Sequence, residues 1–203
     1  MYSKRSGLVL GFHGCDEQVA HAIILGKEKL LPSKNDDDWL GYGIYFWDNS
    51  PSRALEYATY LSKRPGLKNS ITKPTVLGAV IDLGNCLDLL DYENLSHVKN
   101  AYELIYGNYE DDNLSIPINS PLQNGDDLIL RRLDCAVIEG VHRIRNDENS
   151  PSFDSVRGVC WEGDELYPNA GFREKDHIQI CIRNHDCIKG YFLPTVDKYS
   201  IVI

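Results

Sequence analysis

The sequence predicts an α+β domain of short strands, arranged as two facing sheets or one split mixed sheet, with helices at the flanks. Three observations carry that expectation. Apolar, strand-like runs outnumber helix-like patterns, and the two do not alternate regularly, which argues against a βαβ parallel sheet. No internal repeat or low-complexity tract divides the chain. Its 203 residues, 42% hydrophobic and 25% charged, describe one domain spanning residues 1–203 with enough apolar content for a full core.

The elements follow in order. "LVLGFHGCD" opens as a buried strand with Leu8, Val9 and Leu10, then places His13 between Phe12 and Gly14. Asp16 is positioned to cap a helix whose apolar face includes Val19, Ala22 and Ile23, and Gly26 to end it. After the polar loop "PSKNDDDWLGYG" comes a compact strand, "GIYFW". In "NSPSRALEYATYL", Ser50 is a candidate cap and Pro51 suits the first helical position; Ala54, Tyr57, Ala58 and Leu61 share one face. "PTVLGAVIDLGNCLDLL" reads as a long central strand and a second short one. "YENLSHVKNAYELIYG" reads as a helix with Leu95, Val98, Tyr102 and Ile105 inward and Gly107 as its stop. Residues 108–127 mix acids with Pro, Gly and Asn and read as a variable, exposed acidic connection. "DCAVIEGV" and "VRGVCW" are expected strands, "EGDELYPNAGFREKD" a long loop, and "HIQICIRN" a strand with Ile178, Ile180 and Ile182 on one face. "CIKGYFLP" is expected to finish the sheet.

Charge and cysteine usage bound the function. The formal charge of -9 divides as +1 over residues 1–70, -8 over 71–130 and -2 over 131–203. The acidic middle would repel a phosphate backbone, while the arginines of the last third are matched by acids, so charge alone neither selects nor rejects nucleic acid. The six cysteines are scattered without zinc spacing and are expected to be reduced and mostly buried. No apolar run approaches a membrane span, and "MYSKRSG" lacks the apolar stretch of a secretory signal, so the chain is read as cytoplasmic and without a membrane partner.

Most chemical motifs are absent. The Gly-x-Gly of "GYGIYF" has no third glycine and leads into a strand, so it is not a dinucleotide fingerprint. There is no nucleophile elbow, Walker loop or His-Glu-x-x-His. Glu139, Glu162, Glu165 and Glu174 are available as paired acids for glycoside cleavage, a possibility that depends on their spatial separation. Taken singly, His13 and Tyr45 read as core residues.

Read together, three pieces say more: "FHG" ending an early strand, "GYGIYFW" followed by a helix bearing Ala54 and Tyr57, and the late strand "HIQICI". In this order they resemble the ADP-ribosyltransferase superfamily, in its diphtheria-toxin and poly(ADP-ribose)-polymerase branch. The resemblance runs from residue 8 to about residue 193, with the middle third carried only as a strand pattern, and the approach from Tyr45 to Tyr57 differs slightly in spacing from the polymerases. "QICI" is most similar to bacterial transferases of a His-Tyr-Gln type, which makes Gln179 the third catalytic position; Asp176 and Glu174 lie just before the strand. Alternation puts Gln179 on the face opposite Ile178 and Ile180.

The resemblance implies an ADP-ribosyltransferase-like split sheet and NAD as substrate, with nicotinamide released through a transition state of oxocarbenium character. It implies that His13 binds the adenosine-side ribose and that the backbone of Gly14 takes the nicotinamide carboxamide. Tyr45 and Tyr57 would flank the nicotinamide ring, and Gln179 would bind the ribose 2'-hydroxyl; no metal is required. A glutamine orients the ribose but cannot act as a general base, a role worth about 10^2 to 10^4 in rate, so single transfer is favoured over chain building. Glu162, Arg173 and Glu174, in the loop where related transferases recognise the acceptor, are candidate acceptor-side residues, Glu174 as a stand-in base. Arg157 and Arg173 are candidates for a phosphate group. The expected activity is mono-ADP-ribosylation of a protein or nucleic acid. Small transferases of this kind often serve as toxins or phage-defence effectors, so an antitoxin or immunity protein is an expected partner. The alternatives are an NAD glycohydrolase, or a catalytically inactive module that binds NAD or ADP-ribose.

Overall fold

The computed structural model describes residues 7–64, 71–111, 115–121 and 127–195. Seven strands form one mixed sheet: β1 (Val9–Asp16), β2 (Ile44–Asp48), β3 (Pro74–Ile81), β4 (Cys86–Asp88), β7 (Ser155–Cys160), β8 (His177–Ile182) and β9 (Ile188–Phe192). Their spatial order is β4-β7-β8-β2-β1-β3-β9. Only β4 and β7 run parallel; the other neighbours are antiparallel. The helices are α1 (Glu17–Ile24), α2 (Pro51–Ser62), α3 (Leu95–Asp111) and α4 (Arg132–Asp147). β5 (Asn119–Ser120) and β6 (Leu130–Arg131) pair separately. The α+β class stands. In place of two facing sheets, the described residues form one large sheet that narrows at its centre.

The narrowing lies between β1 and β2. β1 pairs with β3 along its whole length, Val9 with Ile81 through Asp16 with Pro74. With β2 it makes two pairs, Gly11 with Asp48 and Phe12 with Trp47. The ladder stops there although both strands continue.

Alternation sorts the side chains onto two faces. Ile44, Phe46, Leu77, Ile81, Ile180 and Ile182 pack with Ala20 and Ile23 of α1 on one face. On the other, Tyr45, Cys181 and Val156 pack with Leu40 and with Val137, Ile138 and Val141 of α4. Burying one such aliphatic or aromatic side chain contributes about 1.5–3 kcal/mol.

Local chemistry explains most element ends. The Asp16 carboxylate accepts from Gln18 N at 2.9 Å, capping α1, and also from Thr72 N, Thr72 Oγ1 and Lys73 N. These bonds, led by the Lys73 amide, hold its carboxyl well below the usual range. Gly26 follows α1 with φ of 67°. Ser50 makes no side-chain cap bond, so Pro51 alone marks the start of α2 as expected.

Three expectations are corrected. "DCAVIEGV" lies inside α4, not in a strand: Leu133, Val137, Ile138, Val141 and Ile144 recur at helical spacing against one core cluster. Its β-branched residues imitate a strand, and its N-terminal amides are satisfied from outside by Asn119 Oδ1, which accepts from Leu133 N at 2.9 Å and Asp134 N at 3.2 Å. α3 continues past Gly107 to Asp111; Val98 and Ile105 face the core, while Leu95 and Tyr102 are exposed. In α1 the buried pair is Ala20 and Ile23, with Val19 exposed. Of the expected connection at 108–127, residues 112–114 and 122–126 lie outside the described residues. All six cysteines are free thiols, four of them buried. Among the described residues no helix is long and apolar enough to cross a membrane.

Candidate functional site

His13 sits where β1 leaves β2. Continuing the register would pair His13 with Phe46 and Gly14 with Tyr45, but those pairs do not form. Instead the His13 imidazole bonds through Nδ1 to the Tyr45 carbonyl at 2.8 Å, replacing a lost ladder bond with a side-chain one. With Nδ1–H donating, Nε2 keeps a lone pair. The ring lies edge-on to Phe46, centroids 5.9 Å apart. Burial pushes its pKa down against the raising effect of the Tyr45 bond, favouring neutral imidazole.

Gly14 has a clear packing reason. A Cβ there would lie 2.1 Å from the Ala54 carbonyl oxygen and 3.1 Å from the Ala58 methyl, so its absence lets α2 close onto β1.

Tyr45 is placed differently from the expectation. Its hydroxyl donates to Gly41 O at 2.8 Å and accepts from Leu40 N at 2.9 Å, and its ring joins the cluster around Leu40 and Cys181. It locks the loop entering β2. Burial pushes its phenol pKa far above the usual value. The exposed aromatic ring is instead Tyr57, 43% exposed, which lies against the buried Trp47 with centroids 5.1 Å apart.

Gln179 lies opposite Trp47 in the β2–β8 register and opposite Gly158 in the β7–β8 register. Its Oε1 accepts from Trp39 Nε1 at 2.6 Å, and Arg131 lies over the Trp39 ring at 4.1 Å. Gly158 makes room for that indole: a Cβ there would be 2.8 Å from it. His177, two residues earlier on the same face, lies 6.2 Å from Trp47, centroid to centroid. One face therefore gathers Trp39, Trp47, Tyr57, His177 and Gln179. His13, beside Phe46, belongs to the other face and meets this group at the main chain of Tyr45.

The α2 end is closed by charge. Arg53 donates to Glu162 at 2.8 Å and pairs with Glu56, which in turn holds Lys175 at 2.9 Å. This network ties α2 to the β7–β8 hairpin and brings Glu162 beside His177 and Cys160. Arg173 pairs with Asp127 at 3.0 Å and, with Arg131, Cys160 and Trp161, lines a cleft of about 380 Å³. Glu174 accompanies the same hairpin, where its amide donates to Asp164 O at 3.0 Å. Arg157 is corrected as a phosphate candidate: it is 5% exposed and its guanidinium is held by Asp48 and Asp88. Glu139 is occupied by Arg183 and by the Tyr42 amide, and Glu165 accepts from Asn169 N.

Trp39, Trp47, Arg53, Cys160 and His177 join this region without being among the expected site residues. His177 is accessible to sequence reasoning, because strand alternation puts it on the face of Gln179. Trp39 is not: its partner lies 140 residues away.

No protein-family model matches the chain, and no solved structure matches it. The chain is similar to a curated relative from Methanocaldococcus jannaschii, the uncharacterized protein MJ0359, at 29% identity over 219 residues. The match covers 94% of this chain and 91% of the relative.

Proposed function

We propose that the protein is an NAD-dependent mono-ADP-ribosyltransferase whose NAD cleft lies at the β1/β2 gap. One observation carries the reading: β1 parts from β2 at His13, and the His13 imidazole holds the Tyr45 carbonyl where the ladder would continue. The pairing that is missing beyond Phe12 and Trp47 falls between the two motifs that suggest NAD, His13-Gly14 on β1 and the Tyr45 segment on β2.

The neighbouring side chains fit the chemistry. Tyr57, exposed and backed by the buried Trp47, offers an aromatic face to a nicotinamide ring, a contact worth about 0.5–1.5 kcal/mol beyond area burial. The Gln179 amide, with Oε1 held by Trp39, keeps its NH₂ for the ribose 2'-hydroxyl. The transition state gains positive character at the ribose, and proton removal from the acceptor falls to another group. Glu174, on the hairpin just before β8, is the candidate for that role. The acceptor is a macromolecule, protein or nucleic acid, taken at the hairpin carrying Arg173, and an antitoxin or immunity protein is the expected regulator.

The test is nicotinamide release from NAD together with labelling of a cell lysate by labelled NAD. Transfer predicts both, and each falls at least tenfold in Gln179→Ala and Tyr57→Ala while the fold is retained. Release of free ADP-ribose without label would assign water as the acceptor, and binding of ADP-ribose without any release would assign a non-catalytic module. The absence of both binding and turnover would sink the reading.

A further inference from the structure

We propose that Cys160, Glu162 and His177 form a binding site for a divalent transition metal of the zinc class. Cys160 and His177 are cross-strand partners at the end of the β7–β8 ladder, and Glu162 follows two residues later. The thiol sulfur, a carboxylate oxygen and a ring nitrogen all lie within 4.8 Å of one another. A modest rotamer adjustment brings them to one ion with bonds of roughly 2.0–2.3 Å.

The second observation is the state of His177. It is 7% exposed, and its Nδ1–H donates to the Lys175 carbonyl at 2.6 Å. That bond fixes the tautomer and leaves the lone pair on Nε2, which is buried and has no hydrogen-bond partner among the described residues. A histidine ring oriented by a backbone carbonyl, with one nitrogen free to bind and a thiol and a carboxylate close to the ring, is the usual arrangement of a metal-ligating histidine. The mixed nitrogen, sulfur and oxygen set suits zinc, and matches neither magnesium nor calcium, which take oxygen.

Arg53 engages Oε2 of Glu162, leaving Oε1 for the ion. Cys160 also lines the 380 Å³ cleft, which provides an entry path and room for water at a fourth position. Binding releases the thiol proton to solvent and places the thiolate on the ion. The site braces the hairpin two residues from Gln179 and stands independently of the NAD reading.

The experiment is a titration of the full chain, stripped with a chelator, with Co²⁺ followed by displacement with Zn²⁺. One equivalent is expected, with a thiolate-to-cobalt charge-transfer band and the visible bands of a four-coordinate ion. Cys160→Ser loses the charge-transfer band. His177→Gln weakens binding by more than the roughly 10- to 100-fold that loss of an outer-shell partner costs. Cys86→Ser, away from the site, changes neither. Where circular dichroism finds either core variant unfolded, Glu162→Gln carries the test with the same expected loss, because its side chain is 26% exposed. Absence of the band in folded parent, its persistence in Cys160→Ser, or unchanged affinity in Glu162→Gln overturns the proposal.

Discussion

At the scale of single residues, the two motif residues on β1 have structural duties that precede any catalytic one. Gly14 admits α2, so Gly14→Ala should destabilise the protein by about 1–3 kcal/mol through overpacking, read as a lower urea midpoint. Gln179 makes the opposite case, since its amide is fixed by Trp39 and one atom decides its chemistry. Gln179→Glu supplies a carboxylate in the same place, and nicotinamide release is expected to rise by about 10^2-fold or more, within the range general bases deliver. An unchanged rate would place position 179 away from the reacting ribose. The places of His13 and Gly14 on β1, Tyr57 on α2 and Gln179 on β8 were legible in the sequence because apolar runs and turn residues mark those elements. The role of Tyr45 was not, because its hydroxyl answers to the loop at Leu40 and Gly41, whose fold no local pattern announces.

At the scale of elements, the strands were legible wherever apolar runs met turn residues, and the two faces of β8 followed from alternation. α4 escaped because Val137, Ile138 and Val141 have strand propensity, and only the full helical recurrence from Leu133 to Ile144 distinguishes the two. That difference is measurable. Val137 and Ile138 are adjacent and both buried, which a strand with one covered face does not allow. Ile138→Ala should cost about 2–5 kcal/mol and Val137→Ala a substantial fraction of that. A loss at one position only, by chemical denaturation, would return the segment to a strand. The cap on α4 from Asn119 was equally hidden, since the bond spans the segment between β5 and β6.

At the scale of the whole molecule, the α+β class was legible, while the single large sheet with its narrow β1–β2 joint emerged only from the pairing. The same packing sets a pH dependence. His142, on α4 against Phe153, has its pKa lowered from 6.5 to about 4, by burial first and then by Arg183 and Arg145, with Glu139 opposing. A histidine with a depressed folded-state value resists protonation in the native state, so its contribution is full above about pH 6.5 and is lost as pH falls toward 4. Thermal midpoints should decline across that window, and His142→Gln should flatten the decline; identical slopes would remove His142 from the account. The central claim, an NAD cleft at the β1/β2 gap, is tested most directly by a crystal structure with NAD or ADP-ribose. The account predicts ligand against the main chain of His13 and Gly14, with the nicotinamide end beside Trp47, Tyr57 and Gln179; ligand bound elsewhere, or a gap that stays empty at saturating NAD, would contradict it.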